Sequence, residues 1–380
     1  MINHSISSHV YLDHNATTAM TKPVVEFYIN TLNQLSNLPL NPSSVHFYGQ
    51  IAKKYMNQAR KDIINAFNVD HKKFEFIFTS SGTESNHIVL SHFLRHGYVI
   101  GSNMEHSSIY ENLSNKIPSN SESEPDLRYL EKELSGIRDT NPNIPILVTV
   151  MYANNETGLI VDINSISFIC KKYGAYLHSD CSQGLGKIPL LIDMIDFMTF
   201  SSHKCGGPHG IGGLLIRKGI LTSILKGGGQ EFGIRHGSEN VINSLTFSFA
   251  IKQAILQQDK YYKHTLELRN FLEDSLENNL DIEKESQDSY MIVAHKNHNR
   301  LPNTSMIILN CEVDINMIVA KFDMHGISIS SGSACSSGST KENYVLKNIF
   351  GRNKGIRVSM GTNTTRVEIE YFLKILKQIY

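Results

Sequence analysis

Through the first two thirds of the chain, short apolar runs alternate with longer stretches in which apolar and polar positions recur at helical spacing. Phe74–Thr79, Tyr98–Ile100, Ile144–Tyr152, Ala175–Ser179, Phe197–Ser201 and Gly213–Arg217 are short and mostly apolar, the pattern of strands buried on both faces. Between them, Val24–Leu35, Ile51–Phe67, Glu84–Arg95, Leu127–Leu134 and Ile163–Lys172 carry the spacing of amphipathic helices. Strands alternating with helices predict an α/β architecture with a largely parallel sheet, because each parallel pair needs a crossover and the helices supply it. From about Ser244 the pattern changes. One long helix is predicted from Leu245 to Leu280, running through the polar and aromatic stretch 257–263. Beyond it come strand-like Tyr290–Ala294, Met306–Leu309 and Ile327–Ser330, helical Ile315–Met324, and a C-terminal helix from Val367. The expected organisation is a large domain of residues 13–255, with residues 1–12 and 256–380 forming a smaller α+β domain.

Composition narrows the class. Of the 380 residues 41% are apolar, and 36 basic side chains match 36 acidic ones. Without a global charge excess or a basic stripe, direct binding of nucleic acid or a membrane surface is not expected. No apolar run reaches the roughly 18 residues of a membrane span, and Met1–Val10 lacks the apolar core of a signal peptide. Five cysteines, Cys170, Cys181, Cys205, Cys311 and Cys335, are an odd number with no CxxC pair. That argues against a disulfide framework or a zinc ribbon and for a reducing compartment. The protein is expected to be cytoplasmic and to hold no metal.

Candidate chemistry sits where predicted strands end. Thr79-Ser80-Ser81-Gly82-Thr83-Glu84 leads a strand into a helix, where free backbone N–H groups, the helix dipole and the Thr83 hydroxyl could cradle a phosphate. The same letters also read as a helix cap. Asp180 closes the strand Ala175–Ser179, at the carboxyl edge where parallel sheets place ligand contacts. It too has the bland reading of an N-cap. Lys204 ends Ser201-Ser202-His203-Lys204, ahead of the glycine-rich turn Gly206–Gly213, a setting suited to an imine-forming amine. His106 and the run Asn154-Asn155-Glu156-Thr157-Gly158 mark two further strand ends. Together they offer a phosphate cradle, a lysine, a carboxylate for a ring nitrogen and an aromatic stacker, the donor set of pyridoxal 5′-phosphate. Separately, Ser330–Ser339 holds the single thiol Cys335 among serine, glycine and alanine. Such runs behave as flexible coil, so the thiol could collect an atom in one place and deliver it in another.

These segments resemble the cysteine desulfurases of the NifS/IscS type, within the fold-type I, class V aminotransferase-like pyridoxal phosphate enzymes. The resemblance runs in consistent order from Tyr11–Thr18 through Asn41-Pro42-Ser43-Ser44, Thr83-Glu84-Ser85, Asn154-Asn155-Glu156, Ser201–Lys204, Gly227–Glu231, the Cys335 stretch and Ile356–Ser359. It implies a large domain with a mostly parallel sheet plus a smaller α+β C-terminal domain. Carried over residue by residue, Lys204 would hold the cofactor covalently and Asp180 would pair with its ring nitrogen. Gln183 and Asn155 would contact the ring hydroxyl, and His106 would stack on the ring and assist proton transfer. Gly82, Thr83, Ser201 and His203 would hold the phosphate, with Ser238 reaching over from a partner subunit of a homodimer. Arg357 and Asn41 would bind the substrate carboxylate. Cys335 would take the sulfur of L-cysteine, leaving a persulfide for a protein sulfur acceptor and L-alanine as product. The Ser-Ser-Gly-Ser-Ala-Cys form resembles the long-loop subgroup. The acceptor could serve iron–sulfur cluster assembly, transfer-RNA thiolation or DNA phosphorothioation.

The chain also departs from the pattern. Phe232, His236 and Ser238 stand where the family usually carries Arg, Ser and Thr, His209 replaces the more usual lysine, and Gly361-Thr362 replaces Gly-Arg. A selenocysteine lyase, or a sulfur-donor subunit active mainly in complex with a partner, are the alternative readings. The other four cysteines read as structural.

Overall fold

The computed structural model describes residues 9–120, 124–222, 226–279, 290–292, 299–309, 314–332, 343–351 and 354–379. Cys311, Cys335 and the predicted strand positions 293–294 lie outside them. In chain order the first elements are β1 (Val10–Tyr11), α1 (Lys22–Leu35), α2 (Phe47–Ala66), β2 (Phe74–Thr79), α3 (Gly82–His96), β3 (Tyr98–Ser102), α4 (Ser107–Tyr110) and β4 (Asn115–Ile117). There follow α5 (Leu127–Thr140), β5 (Ile146–Thr149), α6 (Ile163–Lys172), β6 (Tyr176–Asp180), β7 (Phe197–Ser201) and β8 (Gly212–Arg217). The remainder is α7 (Val241–Leu256), α8 (Gln258–Asn279), β9 (Tyr290–Ile292), β10 (Thr304–Leu309), α9 (Ile315–Met324), β11 (Ile327–Ser328), α10 (Tyr344–Phe350), β12 (Gly355–Ser359) and α11 (Arg366–Ile379).

Residues 19–152 and 161–258 make the larger of two units, and the smaller takes 9–18, 153–160 and the described residues from 259 on. The expected boundary at residue 13 therefore falls a few positions early, and 153–160 change sides. The reason is local pairing. Asp13 bridges to Ser359, and Asn15 hydrogen-bonds the Asn155 carbonyl and Thr304.

In the larger unit the strand order is β2-β8-β7-β6-β5-β3-β4. All neighbours run parallel except β8, which is antiparallel to both β2 and β7. Two reversals leave β2 pointing the same way as β7. The carboxyl ends of β2, β3, β5, β6 and β7 thus share one edge, the edge where such sheets meet ligands. One core cluster, including Ile77, Val89, Phe93, Phe197 and Leu214, packs α3 onto this sheet, with the Phe93 and Phe197 rings edge-to-face at 5.7 Å. Side-chain caps at Ser81, Asp126 and Asp162 accept amides that helix geometry leaves unpaired and so fix where α3, α5 and α6 begin.

The single helix predicted over 245–280 is two helices. Gln257 leaves helical geometry at φ −95° and ψ 1°. Apolar α7 buries Val241, Phe247 and Ile251 in the larger unit, whereas α8 sends Leu268, Leu272 and Leu276 into the core of the smaller one. In the smaller unit the sheet order is β12-β10-β9, antiparallel throughout, and β1 pairs parallel with β11. Leu12, Phe322, Val358 and Phe372 belong to that core, where Phe322 and Phe372 stack with centroids 5.1 Å apart. Sequence periodicity did not foresee β4, α10 or strand β12.

Candidate active site

Asp180 is the last residue of β6, so the sheet fixes its backbone and aims its side chain at the ligand edge. It is buried, and one carboxylate oxygen accepts from Asn86 Nδ2 at 3.0 Å while the other accepts from the Ser182 amide at 3.0 Å. Burial alone would push this carboxyl up. The charge of Lys204, the Asn86 carboxamide, His106 and the Ser182 side chain outweigh it and hold Asp180 below the usual carboxylate range. A buried carboxylate kept ionised is what a protonated ring nitrogen would pair with.

His106 lies on the same edge, beyond β3, as the N-cap of α4. Burial and then the charge of Lys204 press its imidazole down to about 4, against the pull of Asp180. The ring is neutral at physiological pH. Its Nδ1 accepts from the Ser108 amide at 3.2 Å and meets Ser108 Oγ at 2.8 Å, so the proton sits on Nε2. Ser108 Oγ also accepts from Asn86 Nδ2 at 2.9 Å. Asn86 thus joins His106 and Asp180 through its two amide protons, a role the sequence reading missed. The signal was there: Asn86 lies one turn beyond Gly82, on the buried side of α3.

At the start of α3 the cap reading of Thr79–Glu84 is observed, and it leaves room for a phosphate cradle. Ser81 Oγ accepts from the Glu84 amide at 3.1 Å, and Glu84 carries an ion pair to Arg235 at 3.1 Å while accepting from the Ser80 amide. That cap serves the third amide of the helix. The amides of Gly82 and Thr83 remain among those to which helix geometry gives no acceptor. A Cβ at Gly82 would lie 3.4 Å from Ser201 Cβ and 3.5 Å from Ser182 Oγ, so two serines flank the buried first residue of the helix.

Lys204 ends a tight turn, Ser202–Lys204, directly after β7. Its neighbour His203 is pressed to about 4 by burial, Lys204 and His209, and the His203 and His209 rings stack with centroids 5.1 Å apart. Gln183 is buried and its carboxamide oxygen accepts from Lys187 Nζ at 2.7 Å, which fixes the NH2 end as the donor. His178, also missed, faces the same side of β6 as Asp180. It is clamped between Thr149 Oγ1 at 2.8 Å and Thr199 Oγ1 at 3.1 Å, and burial presses it to about 4. Ser238 and Asn41 are exposed, and Asn41 Oδ1 accepts from the Ser43 amide at 3.1 Å.

The larger unit therefore brings together Gly82, Thr83, His106, Asp180, Ser201, His203 and Lys204. They fit pyridoxal phosphate: an ionised buried acceptor, a neutral imidazole, an amine whose charge shifts both, and a helix start beside serines.

In the smaller unit Arg357 sits on β12, 1% exposed. One guanidinium nitrogen donates to the Asn155 carbonyl at 2.8 Å and another pairs with Asp13. Asn155 is held by its turn, in which Asn154 Oδ1 accepts from the amides of Glu156 and Thr157, each at 2.9 Å. Asp13 and Asn15 explain the early motif Tyr11–Thr18, since both bind the Arg357 neighbourhood. Gly361, which the chain keeps ahead of the departure Thr362, has a use: any Cβ there would strike the His14 ring.

Among the described cysteines none is activated. Burial drives Cys170 and Cys205 to about 12 and lifts Cys181 well above the usual thiol value. At Phe232, where the family usually has arginine, the ring lies 5.1 Å from the Arg60 guanidinium. Arg60 also pairs with Glu231 at 2.8 Å and Glu239 at 3.0 Å. A second arginine there would repel it.

The fold and these donors define a pyridoxal-phosphate enzyme of fold type I, and the chain belongs to the class-V aminotransferase family, whose model matches residues 10–372. Among its relatives is a protein named cysteine desulfurase IscS from Dictyoglomus turgidum, 34% identical over 97% of this chain and 94% of its own length. A cysteine desulfurase IscS from Buchnera aphidicola is 33% identical over 97% and 91%. The crystal structure of a NifS-like protein from Rickettsia africae superposes with a TM-score of 0.85 at 34% identity, covering 98% of this chain and 99% of that one.

Proposed function

We propose that this chain is a pyridoxal-phosphate-dependent cysteine desulfurase that moves sulfur from L-cysteine to Cys335 and from there to a protein sulfur acceptor, in iron–sulfur cluster assembly. The observation that carries the reading is the charge of Lys204 acting on Asp180, an amine that helps keep a buried strand-end carboxylate ionised.

When bound, the cofactor supplies an electron sink that weakens the bonds around the substrate's α-carbon. The chain does the rest. Lys204 anchors the cofactor and accepts the α-proton. Asp180 holds the ring-nitrogen proton, while the amides of Gly82 and Thr83, with Ser201 and His203, hold the phosphate. Gln183 and Asn155 contact the ring hydroxyl. His106, protonated on Nε2, presents a neutral donor face to the ring. Arg357, preset by Asp13 and Asn155, binds the substrate carboxylate with the N–H groups those partners leave over, as a guanidinium fork allows, and Asn41 assists. The Cys335 thiolate then forms an S–S bond to the substrate sulfur as the carbon–sulfur bond breaks. The electron pair left on carbon takes a proton, Lys204 returns the α-proton, and L-alanine leaves. Exposed Ser238 suits a contact to the partner subunit's phosphate in a homodimer. The protein acts in the cytoplasm. Among the described residues no helix is long and apolar enough to cross a membrane.

Two substitutions test this. Lys204→Ala is expected to leave no cofactor attached after borohydride reduction and mass spectrometry. Cys335→Ser is expected to abolish alanine formation from cysteine while the cofactor absorbance stays. Alanine produced by Cys335→Ser at the wild-type rate would remove Cys335 from the reaction.

A further inference from the structure

Both described ends of the interval 333–342, which carries Cys335, meet at one carboxylate. At the near end, Gly332 has φ +121°, and any Cβ there would lie 2.7 Å from Glu156 Oε2 and run into Asn343 Nδ2. The Gly332 carbonyl accepts from Ser330 Oγ at 2.7 Å, and Ser330 is bridged to Arg357 on β12. At the far end, Asn343 Nδ2 donates to Glu156 Oε2 at 2.6 Å, while Asn343 Oδ1 accepts from the Leu346 amide at 3.0 Å and caps α10. Glu156 itself is 2% exposed, and its amide is fixed on Asn154 Oδ1.

We propose that Glu156 is a positioning residue for the Cys335 thiol: from the turn Asn154–Gly158 it bonds the far end of the interval 333–342 through Asn343 and packs against the near end at Gly332, and so sets where the thiol's reach begins. The inference rests on the reading that Cys335 accepts the sulfur. The physical argument is one of effective concentration, because a group on a tether meets its target at a rate governed by where the tether's ends are held. The same turn presents the Asn155 carbonyl to Arg357. Neighbouring residues of one turn thus hold the guanidinium assigned to the substrate and the stems of the segment that must reach that substrate. A glycine at 332 is demanded twice over, by its positive φ and by the closeness of Glu156.

The discriminating variant is Asn343→Asp. Aspartate caps a helix as well as asparagine does, so α10 keeps its start, but the new carboxylate faces Glu156 and the bond is lost. Combining it with Glu156→Gln restores a donor–acceptor pair with the roles reversed. In the holoenzyme, Asn343→Asp is expected to slow single-turnover alanine formation at least tenfold and to change the rate at which iodoacetamide alkylates Cys335. The spectral change on adding cysteine, and the cysteine concentration that gives half of it, should stay at wild-type values. The double variant should recover most of the rate. Should Asn343→Asp fail to fold, Gly332→Ala displaces the near stem and is read in the same way. Wild-type alanine formation and alkylation in the single variant, or no recovery in the double, overturns the proposal. Cys335→Ser separates the two ideas. Alanine lost there but untouched in Asn343→Asp sinks the Glu156 clasp alone, whereas alanine retained in Cys335→Ser sinks the reading beneath it.

Discussion

Around Asp180, charged groups act on one another through their fields. Lys204 shifts Asp180, His106 and His203 through its field, while neutral Asn86 and Ser108 supply the contacts. Around Asn154–Gly158 the means are the reverse. Arg357 is in direct contact with Asp13 and with a backbone carbonyl, and Glu156 is tied to Asn343. The first region is tuned for protonation, which a low-dielectric edge amplifies. The second is tuned for position, and direct hydrogen bonds with fixed partners supply that. A desulfurase needs both: protons held at chosen atoms, and a substrate and a thiol held at chosen places.

If that contrast is right, the two regions fail in different kinetic terms. Asp180→Asn removes the acidic group whose charge opposes burial and Lys204 at His106. Breaking a buried charge relation costs about 3–5 kcal/mol, so kcat should fall by about a hundred- to several-thousand-fold with a modest change in KM. Arg357→Lys keeps the charge but loses the fork. Hydrogen bonds to charged groups are worth about 1.5–3 kcal/mol, so KM for cysteine should rise by about 10- to 150-fold while kcat moves less. Steady-state kinetics of both variants, with cofactor occupancy checked by absorbance, decides it. A dominant KM effect from Asp180→Asn would erase the distinction.

A smaller effect is expected from pH. His178 has its pKa at about 4 in the fold, pressed there by burial, against about 6.5 in an unfolded chain. Between those values the unfolded state binds a proton that the folded state refuses. Stability therefore falls as pH drops from about 6.5 to about 4, by up to about 1.4 kcal/mol per pH unit for this one group, and the slope ends below about 4. His106 adds to the same window. Urea titrations between pH 7 and 5 should show the decline, and His178→Asn should flatten it by up to one proton. An unchanged slope would mean that His178 is charged in the fold.

The larger unit was legible because its chemistry follows strand ends, and short apolar runs announce where strands end. Asp180, His106 and Lys204 could be found from Ala175–Ser179, Tyr98–Ile100 and Phe197–Ser201 alone. The partners Asn86 and His178 were harder to find: their places on buried faces can be read from spacing, but the sequence carries no sign of which neighbour each meets. In the smaller unit periodicity found most strands and helices, but the role of Arg357 was legible only through resemblance. Arg357 is positioned by Asp13 and Asn155, which are 344 and 202 positions away, and no periodicity spans such distances. The break at Gln257 escaped for another reason. Helical spacing continues on both sides of it, and only the change of core from one unit to the other ends α7 there.

The smallest expected effect tests whether cap and cradle at the start of α3 are separable. Ser81→Ala removes the hydroxyl that accepts from the Glu84 amide. Losing a serine N-cap costs about 1 kcal/mol, so the urea midpoint should shift slightly. Glu84 keeps its bonds to the Ser80 amide and Arg235, which limits the damage to the first turn. Cofactor affinity, measured by absorbance titration of the cofactor-free protein, should stay within about twofold, because the amides assigned to the phosphate are those of Gly82 and Thr83, two and one positions before the capped one. The two functions use different N–H groups of the same turn. An affinity loss beyond about tenfold at unchanged stability would show that Ser81 itself touches the phosphate. The cap reading would then give way to a cradle that includes its hydroxyl.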